Sequence, residues 1–406
     1  MSTNRVAGSA AEEPFLIAVD DGSLAFLQQK LALTRLPDEL EDAGTDLGAP
    51  LPDIRRLVDR WQNGFDWRAQ EETLNRELPQ FTRDIEVDGF GLLNVHYVHK
   101  RSERVDAIPL LFVHGWPGSF LEVRKILPLL VDAPPEHPTF HVVALSLPGY
   151  GFSEAPKKKG FKLDQYAEVG NKLMLALGYP EYVTQGGDWG FAITRRIAYH
   201  YGGKHSKAWH TNFPMAQRPT LRANPIAYFL ALTTPYTDFE KAGLVRTQQF
   251  MSKGRGYSAE QATKPQTLGY SLSDSPVGLL AWVYEKMVDW TDGYKWEDDE
   301  VLTWISVYYF SRAGPAASLR IYYENAGQKP VPPPSTPLGY SFFPRELAIA
   351  PRTWTRTIGN VVFEAEHDKG GHFAAHEVPE LLVGDLRKMF GKGGPTFGVV
   401  SGRAGY

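Results

Sequence analysis

The stretch EYVTQGGDWGFAITRRIAYH (181–200) decides the fold. Tyr182 to Gln185 reads as a short strand, and Ile193, Ile197 and Ala198 recur at helical spacing after it. Between them stands Gly186-Gly187-Asp188-Trp189-Gly190. A residue on a sharp turn from strand to helix is held in a strained backbone, and only small neighbours fit beside it. This is the logic of the nucleophile elbow, G-x-S-x-G, with Asp188 in place of the serine. The following helix turns backbone N–H groups and the positive end of its dipole toward that position. The plainer alternative is that Asp188 merely caps the helix, as aspartate often does.

Working outward, the same texture repeats. Pro109 to Val113 (PLLFV) is an apolar run closed by His-Gly-Trp-Pro-Gly (114–118), and Val142 to Leu145 is another, closed by Pro148-Gly149. Asn360 to Ala365 (NVVFEA) is a later one. Helical patterns cover Phe120 to Leu130 and Asp164 to Leu177. Short apolar strands alternating with helices predict the α/β class, with a mostly parallel sheet covered on both faces. Upstream, Leu24, Leu27 and Leu31, then Ile54, Leu57, Val58 and Trp61, mark two amphipathic helices. Ile85 and Val87, then Leu93, Val95 and Tyr97, flank Asp88-Gly89 as a hairpin would. Between about 216 and 335 strand signals give way to helices rich in Tyr, Trp and Phe, ending in the proline-rich connector KPVPPPSTP (329–337). The expected organisation is an N-terminal region (1–100), a first part of the core (101–215), an inserted helical cap (216–335) and a second part of the core (336–406).

Composition excludes several classes. The 406 residues carry 43 Lys+Arg against 47 Asp+Glu, a net charge of −4, which argues against a nucleic-acid partner. Cysteine is absent, so disulfides, thiolate metal sites and cysteine nucleophiles are out. No run of 18 or more apolar residues suggests a membrane span. The first residues, MSTNRVAGSAAEE, lack the basic and apolar regions of a secretion signal. A cytoplasmic protein is expected. The 10 Trp, 19 Tyr and 22 Phe call for an aromatic-rich region.

Two further motifs accompany the elbow. The loop His114-Gly115-Trp116-Pro117 follows the first core strand, where architectures of this kind supply one oxyanion-hole N–H. The natural pair is the N–H of Trp116 and that of Trp189. His114 reads as a buried orienting residue rather than a base. Gly370-Gly371-His372-Phe373 follows the late strand, where the order nucleophile, acid, histidine places the base. His372 is the first choice, His376 the second and His367 the third.

HGWPG (114–118), GGDWG (186–190) and GGHFAAHE (370–377), with a helical insertion between the last two, resemble an epoxide hydrolase of the α/β-hydrolase fold. WQNGFDWRAQEETLN (61–75) and FGLLNVHYVH (90–99) are similar to the N-terminal region of the microsomal type. The likeness covers nearly the whole chain, and the missing anchor makes it similar to soluble fungal and bacterial members. The resemblance implies that the acid is Glu346, in Ser341-Phe342-Phe343-Pro344-Arg345-Glu346, with Asp368 as the alternative. It implies two cap tyrosines that donate to the epoxide oxygen. Tyr257 and Tyr322 fit, with Tyr323 as the fallback for the second. Asp188 then forms an alkyl-enzyme ester, and water activated by His372 and Glu346 hydrolyses it to a vicinal diol. No metal and no cofactor are called for. The partners are a small epoxide and water, and a homodimer is compatible. A haloalkane dehalogenase shares the aspartate and histidine, but the tyrosine pair and N-terminal region favour the epoxide. A non-catalytic receptor on the same fold has no need of a base.

Overall fold

The computed structural model describes residues 11–406. Among these residues nine strands form one sheet: β1 (Glu13–Phe15), β2 (Gln80–Val87), β3 (Gly91–Lys100), β4 (Ile108–Val113), β5 (Phe140–Leu145), β6 (Tyr182–Gly186), β7 (Ser206–Thr211), β8 (Pro337–Phe342) and β9 (Asn360–Glu366). Their spatial order is β1-β2-β3-β5-β4-β6-β7-β8-β9. β1, β2 and β3 pair antiparallel, and β3 joins β5 antiparallel. From β5 to β9 every pairing is parallel. Every residue of β4, β5 and β6 is buried, as a sheet covered on both faces requires. The chain leaves β4 for β5 on one side and returns to β6 on the other, so the topology reverses at β4. Sites in such sheets lie beyond the carboxyl ends of the strands at that reversal. Both the HGWPG loop and the elbow start there, with Val113 of β4 in register with Gly186 of β6.

The N-terminal helices are α1 (Asp21–Ala32), α2 (Leu51–Asn63) and α3 (Trp67–Glu77). Ile54, Leu57, Val58 and Trp61 form the buried face of α2. Gly89 adopts φ 81° in the β2–β3 turn, a conformation that glycine takes at little cost. The core helices are α4 (Ile126–Val131), α5 (Leu163–Ala176) and α6 (Trp189–Tyr201). The expected helix from 120 to 130 is instead a 3-10 turn, Phe120–Val123, followed by α4. Pro128 explains the break: it lacks an N–H and its ring crowds the carbonyl four residues earlier, so it is tolerated only in the first turn.

Between β7 and β8 the described elements are helical. They comprise α7 (Pro225–Thr233), α8 (Asp238–Gln249), α9 (Gly256–Thr263), α10 (Pro265–Asp274), α11 (Pro276–Asp289), α12 (Asp298–Tyr309) and α13 (Arg320–Glu324), with a π turn over Phe250–Gly254. α12 is pinned to the loop after β4. Trp304 Nε1–H donates to Pro117 O (2.7 Å) and Tyr308 O–H to Gly118 O (2.6 Å). The N-terminal helices hold these helices from outside. Arg60 on α2 makes two hydrogen bonds to Asp299 (2.8 and 2.9 Å), and Tyr284 donates to Asp53 (3.1 Å). Among the described residues no helix is long and apolar enough to cross a membrane.

Candidate active site

The elbow has the expected strain. Asp188 sits at φ 49°, ψ −125°, a region that costs a non-glycine residue about 1–3 kcal/mol. Gly186 and Gly190 are there for space. A Cβ on Gly190 would lie 1.9 Å from Val113 O, and one on Gly186 2.7 Å from the backbone of Gly190. The Asp188 side chain makes no capping hydrogen bond to its helix. It accepts one from the Trp116 N–H at 2.9 Å through Oδ1, so capping does not account for it. The N–H of Trp189, at the first position of α6, has no acceptor inside the helix, as for every first-turn N–H.

His372 Nε2 lies 3.5 Å from Asp188 Oδ2, and its Nδ1 lies 2.5 Å from Glu346 Oε1. The same Glu346 oxygen accepts the Leu347 N–H at 2.6 Å. Both side chains are buried. Burial opposes charge on His372, but Glu346 and Asp188 outweigh it, and the imidazole is pushed up to about 10. A buried ring between two carboxylates is therefore an imidazolium at neutral pH. Its backbone is tied to the end of α11, since the His372 N–H donates to Trp290 O at 2.8 Å.

The other candidates go elsewhere. His376 faces Glu300 at 2.7 Å and His367 faces Asp385 at 2.6 Å. Asp368 is exposed. His114 is buried with both nitrogens engaged: Nδ1 meets Gly115 O at 2.9 Å and Nε2 accepts the Leu147 N–H at 3.2 Å. Burial lowers it to about 4, so it stays neutral and props the loop.

Tyr257 on α9 and Tyr322 on α13 are buried, their rings 5.9 Å apart at 78°. Trp116 stacks on Tyr257 (5.1 Å, 11°) and Trp189 meets Tyr322 edge-on (4.9 Å, 87°). Aromatic pairs of this geometry add about 0.5–1.5 kcal/mol each beyond burial. Tyr323 is 44% exposed. Burial, reinforced by Asp188, raises the Tyr257 phenol far above its ordinary value; in Tyr322 burial does the same, with Tyr257 and then Asp188 adding to it. Both stay protonated donors. The Tyr322 hydroxyl makes no well-formed hydrogen bond, and its polar neighbours are Tyr257 and Trp189. Sequence reasoning missed the Trp290 carbonyl, a backbone role that leaves no mark in the sequence. It also missed Glu122, a lone acid in the apolar stretch FLEV. Among the described residues no group of three or more His, Asp or Glu is arranged to hold a metal.

A strained aspartate at the reversal of a parallel sheet, facing an imidazole–carboxylate pair, defines the class: this is a protein of the α/β-hydrolase fold. The alpha/beta hydrolase fold model matches residues 108–275, and the Epoxide hydrolase N terminus model matches residues 12–123. A putative epoxide hydrolase of Stigmatella aurantiaca is 40% identical over 389 residues, covering 93% of this chain and 84% of that protein. Epoxide hydrolase 1 of Sus scrofa is 36% identical over 421 residues, covering 94% and 90%. The solved structure of Aspergillus niger epoxide hydrolase superposes with a TM-score of 0.81 at 35% identity, covering 93% of this chain and 95% of that one. The chain belongs to the epoxide hydrolase family.

Proposed function

We propose that this hydrolase opens a small epoxide to a vicinal diol through an ester on Asp188, with the helices of 216–335 acting as a cap over the core. The observation that carries the reading is the buried Tyr322 hydroxyl, which makes no well-formed hydrogen bond and lies beside the ring of Tyr257 and the residue that follows the strained Asp188. An epoxide oxygen supplies the missing acceptor. The Asp188 carboxylate attacks the back of an epoxide carbon, the C–O bond breaks, and the alkoxide takes a proton from Tyr257 or Tyr322. Esterification removes the Asp188 charge, one of the two that hold a proton on His372. That proton replaces the one the phenol gave up, and the imidazole becomes a base. Neutral His372, oriented by Glu346, then takes a proton from water, and the hydroxide adds to Asp188 Cγ. The N–H groups of Trp116 and Trp189 hold the oxyanion. Collapse expels the diol oxygen, which leaves with the remaining proton, and restores the Asp188 carboxylate and the His372 imidazolium. Atoms, charge and protons close over the cycle.

The test is a His372→Gln variant exposed briefly to styrene oxide. Intact-mass spectrometry should show protein plus one epoxide, lost when Asp188 is also changed to Ala. No adduct would sink the covalent scheme. Assaying diol from epoxides beside halide from haloalkanes separates the dehalogenase reading. The proposal extends to a cytoplasmic homodimer. Ile226, Phe229, Leu230 and Leu232 leave much of α7 exposed and apolar, a patch suited to a second copy. A monomer in sedimentation at micromolar concentration would remove the dimer.

A further inference from the structure

Glu122 is an ionisable group that this cycle does not use. It lies in the 3-10 turn after HGWPG, between buried Leu121 and Val123. Its side chain lines a small internal cavity together with Asp188, His372, Asn212 and Gln185. The space there open to the centre of a water molecule is ≈ 10 Å³, about the room that one water needs. All the lining residues fall within 112–122, 185–212 and 372–375, so the cavity belongs to the core and the cap tyrosines lie outside it. Asp188 thus lines a pocket that the phenols do not reach.

The HGWPG loop is shaped around the two carboxyls. A Cβ on Gly115 would lie 2.3 Å from Asp188 Oδ1, and a Cβ on Gly118 would lie 1.6 Å from Glu122 Oε1. Neither glycine has a positive φ, so what each provides is space. Two amides add to its polar lining, beside the rings of Phe112, Trp116 and Phe373. Gln185 Nε2–H donates to Asn212 at 2.8 Å, while Gln185 Oε1 has no partner.

We propose that this cavity seats the hydrolytic water and that Glu122 is the positioning residue that orients it. A water that attacks Asp188 Cγ must aim a lone pair at the carbon. Two acceptors fix its hydrogens: His372 Nε2, which takes one as a proton, and a Glu122 oxygen, which holds the other until it leaves with the diol. Burial raises the Glu122 carboxyl to about 8, the His372 charge opposing and Asp188 adding. At neutral pH the group is a neutral acid whose carbonyl oxygen still accepts, and no third negative charge is set against Asp188 and Glu346.

The assignment rests on the ester scheme above, and rapid-quench mass spectrometry with styrene oxide follows its two steps separately. Glu122→Ala should leave ester formation within a factor of ~3 and slow ester decay at least ~10-fold, the loss of one hydrogen bond to the reacting water, so that the ester accumulates during turnover. Glu122→Gln, whose amide oxygen accepts the same hydrogen, should restore decay to within ~3-fold of the native rate. Unchanged decay in Glu122→Ala overturns the assignment. So does equal slowing of both steps in both variants, which would mark Glu122 as a general support of the site. No ester in His372→Gln would overturn the covalent scheme itself. An ester there, with native decay in Glu122→Ala, overturns only the role of Glu122.

Discussion

Asp188 and the pair Tyr257–Tyr322 share Trp116 and Trp189 as neighbours, and different forces hold them. The core side is a local device. Five consecutive residues make the turn, two glycines clear the space, and the Trp116 N–H and the His372 ring fix the carboxylate by hydrogen bonding and charge. The cap side is an assembled one. Tyr257 and Tyr322 sit on separate helices, 65 positions apart by their numbers, and stay in place through ring contacts with Trp116, Trp189 and each other. Groups held by charge and strain have little freedom, whereas groups held by packing can yield to a substrate of varied shape. The division suits a reaction in which the attacking atom must be fixed while the pocket accommodates the epoxide.

The most severe way to break the contrast is at the fixed end. Asp188→Ala should lower kcat/KM by ~10⁴ or more, since the ester forms on that carboxylate. It should also leave the fold intact in circular dichroism. Appreciable turnover in this variant would mean that another nucleophile does the work. At the packed end, Tyr257→Phe or Tyr322→Phe alone should slow ester formation ~10- to 10²-fold, and the double variant ~10²- to 10⁴-fold, the range for losing proton donation. Native single-turnover rates in the double variant would remove the phenols from the chemistry.

The same difference governs what the sequence makes legible. The elbow is readable because its steric demand is written into adjacent residues, and β4 and β5 because buried parallel strands are largely apolar runs. β7 (SKAWHT) and β8 (PLGYSF) are not readable that way. Ser206, His210 and Thr211 are polar yet fully buried, and Ser341 in β8 meets His210 (3.2 Å) and Asp385 (2.5 Å) in a hydrogen-bonded network that no periodicity announces. Glu346 and the tyrosines depend on distant helices and loops closing over the sheet, so their assignment leans on family resemblance. Glu122 has no local signature beyond being charged among apolar neighbours.

A third effect separates the charge-held side from the packed side by pH. The folded His372 binds its proton with a pKa of about 10, above its ordinary value of about 6.5. Its contribution to stability is complete below about pH 6.5 and is lost as the pH rises through 10. Glu122 and Glu377 titrate lower, at about 8 and about 7. The buried tyrosines, kept protonated by the fold, lose stability only near the ordinary phenol value of about 10 and above, so the imidazole dominates from about pH 8 to about pH 9. Urea unfolding should show stability falling there with a slope of up to about 1.4 kcal/mol per pH unit, and His372→Gln should flatten it. An unchanged slope would mean that the imidazole is not charged between its two carboxylates. Smaller again is the strap between cap and core. Tyr308→Phe removes the bond to Gly118 O and leaves that buried carbonyl without it, for about 1–2 kcal/mol of stability. A cost near zero would show that the carbonyl finds another donor.

The smallest effect is the one that best tests packing as the organising force of the cap. Tyr322 and Tyr323 are neighbours on α13, so their side chains leave the helix about 100° apart. One is 6% exposed and lies against Trp116, Trp189 and Tyr257; the other is 44% exposed. If burial against those rings is what makes a phenol useful, chemistry alone cannot distinguish the two residues but position can. Tyr323→Phe should then change ester formation less than ~2-fold and stability by less than about 0.5 kcal/mol, as surface changes usually do. Tyr322→Phe in the same assay should show the tenfold or greater loss expected above. The reverse order would require α13 to turn by about one residue when an epoxide binds. The contrast between a fixed core and a yielding cap would then have to be redrawn as a helix that rotates to deliver its donor.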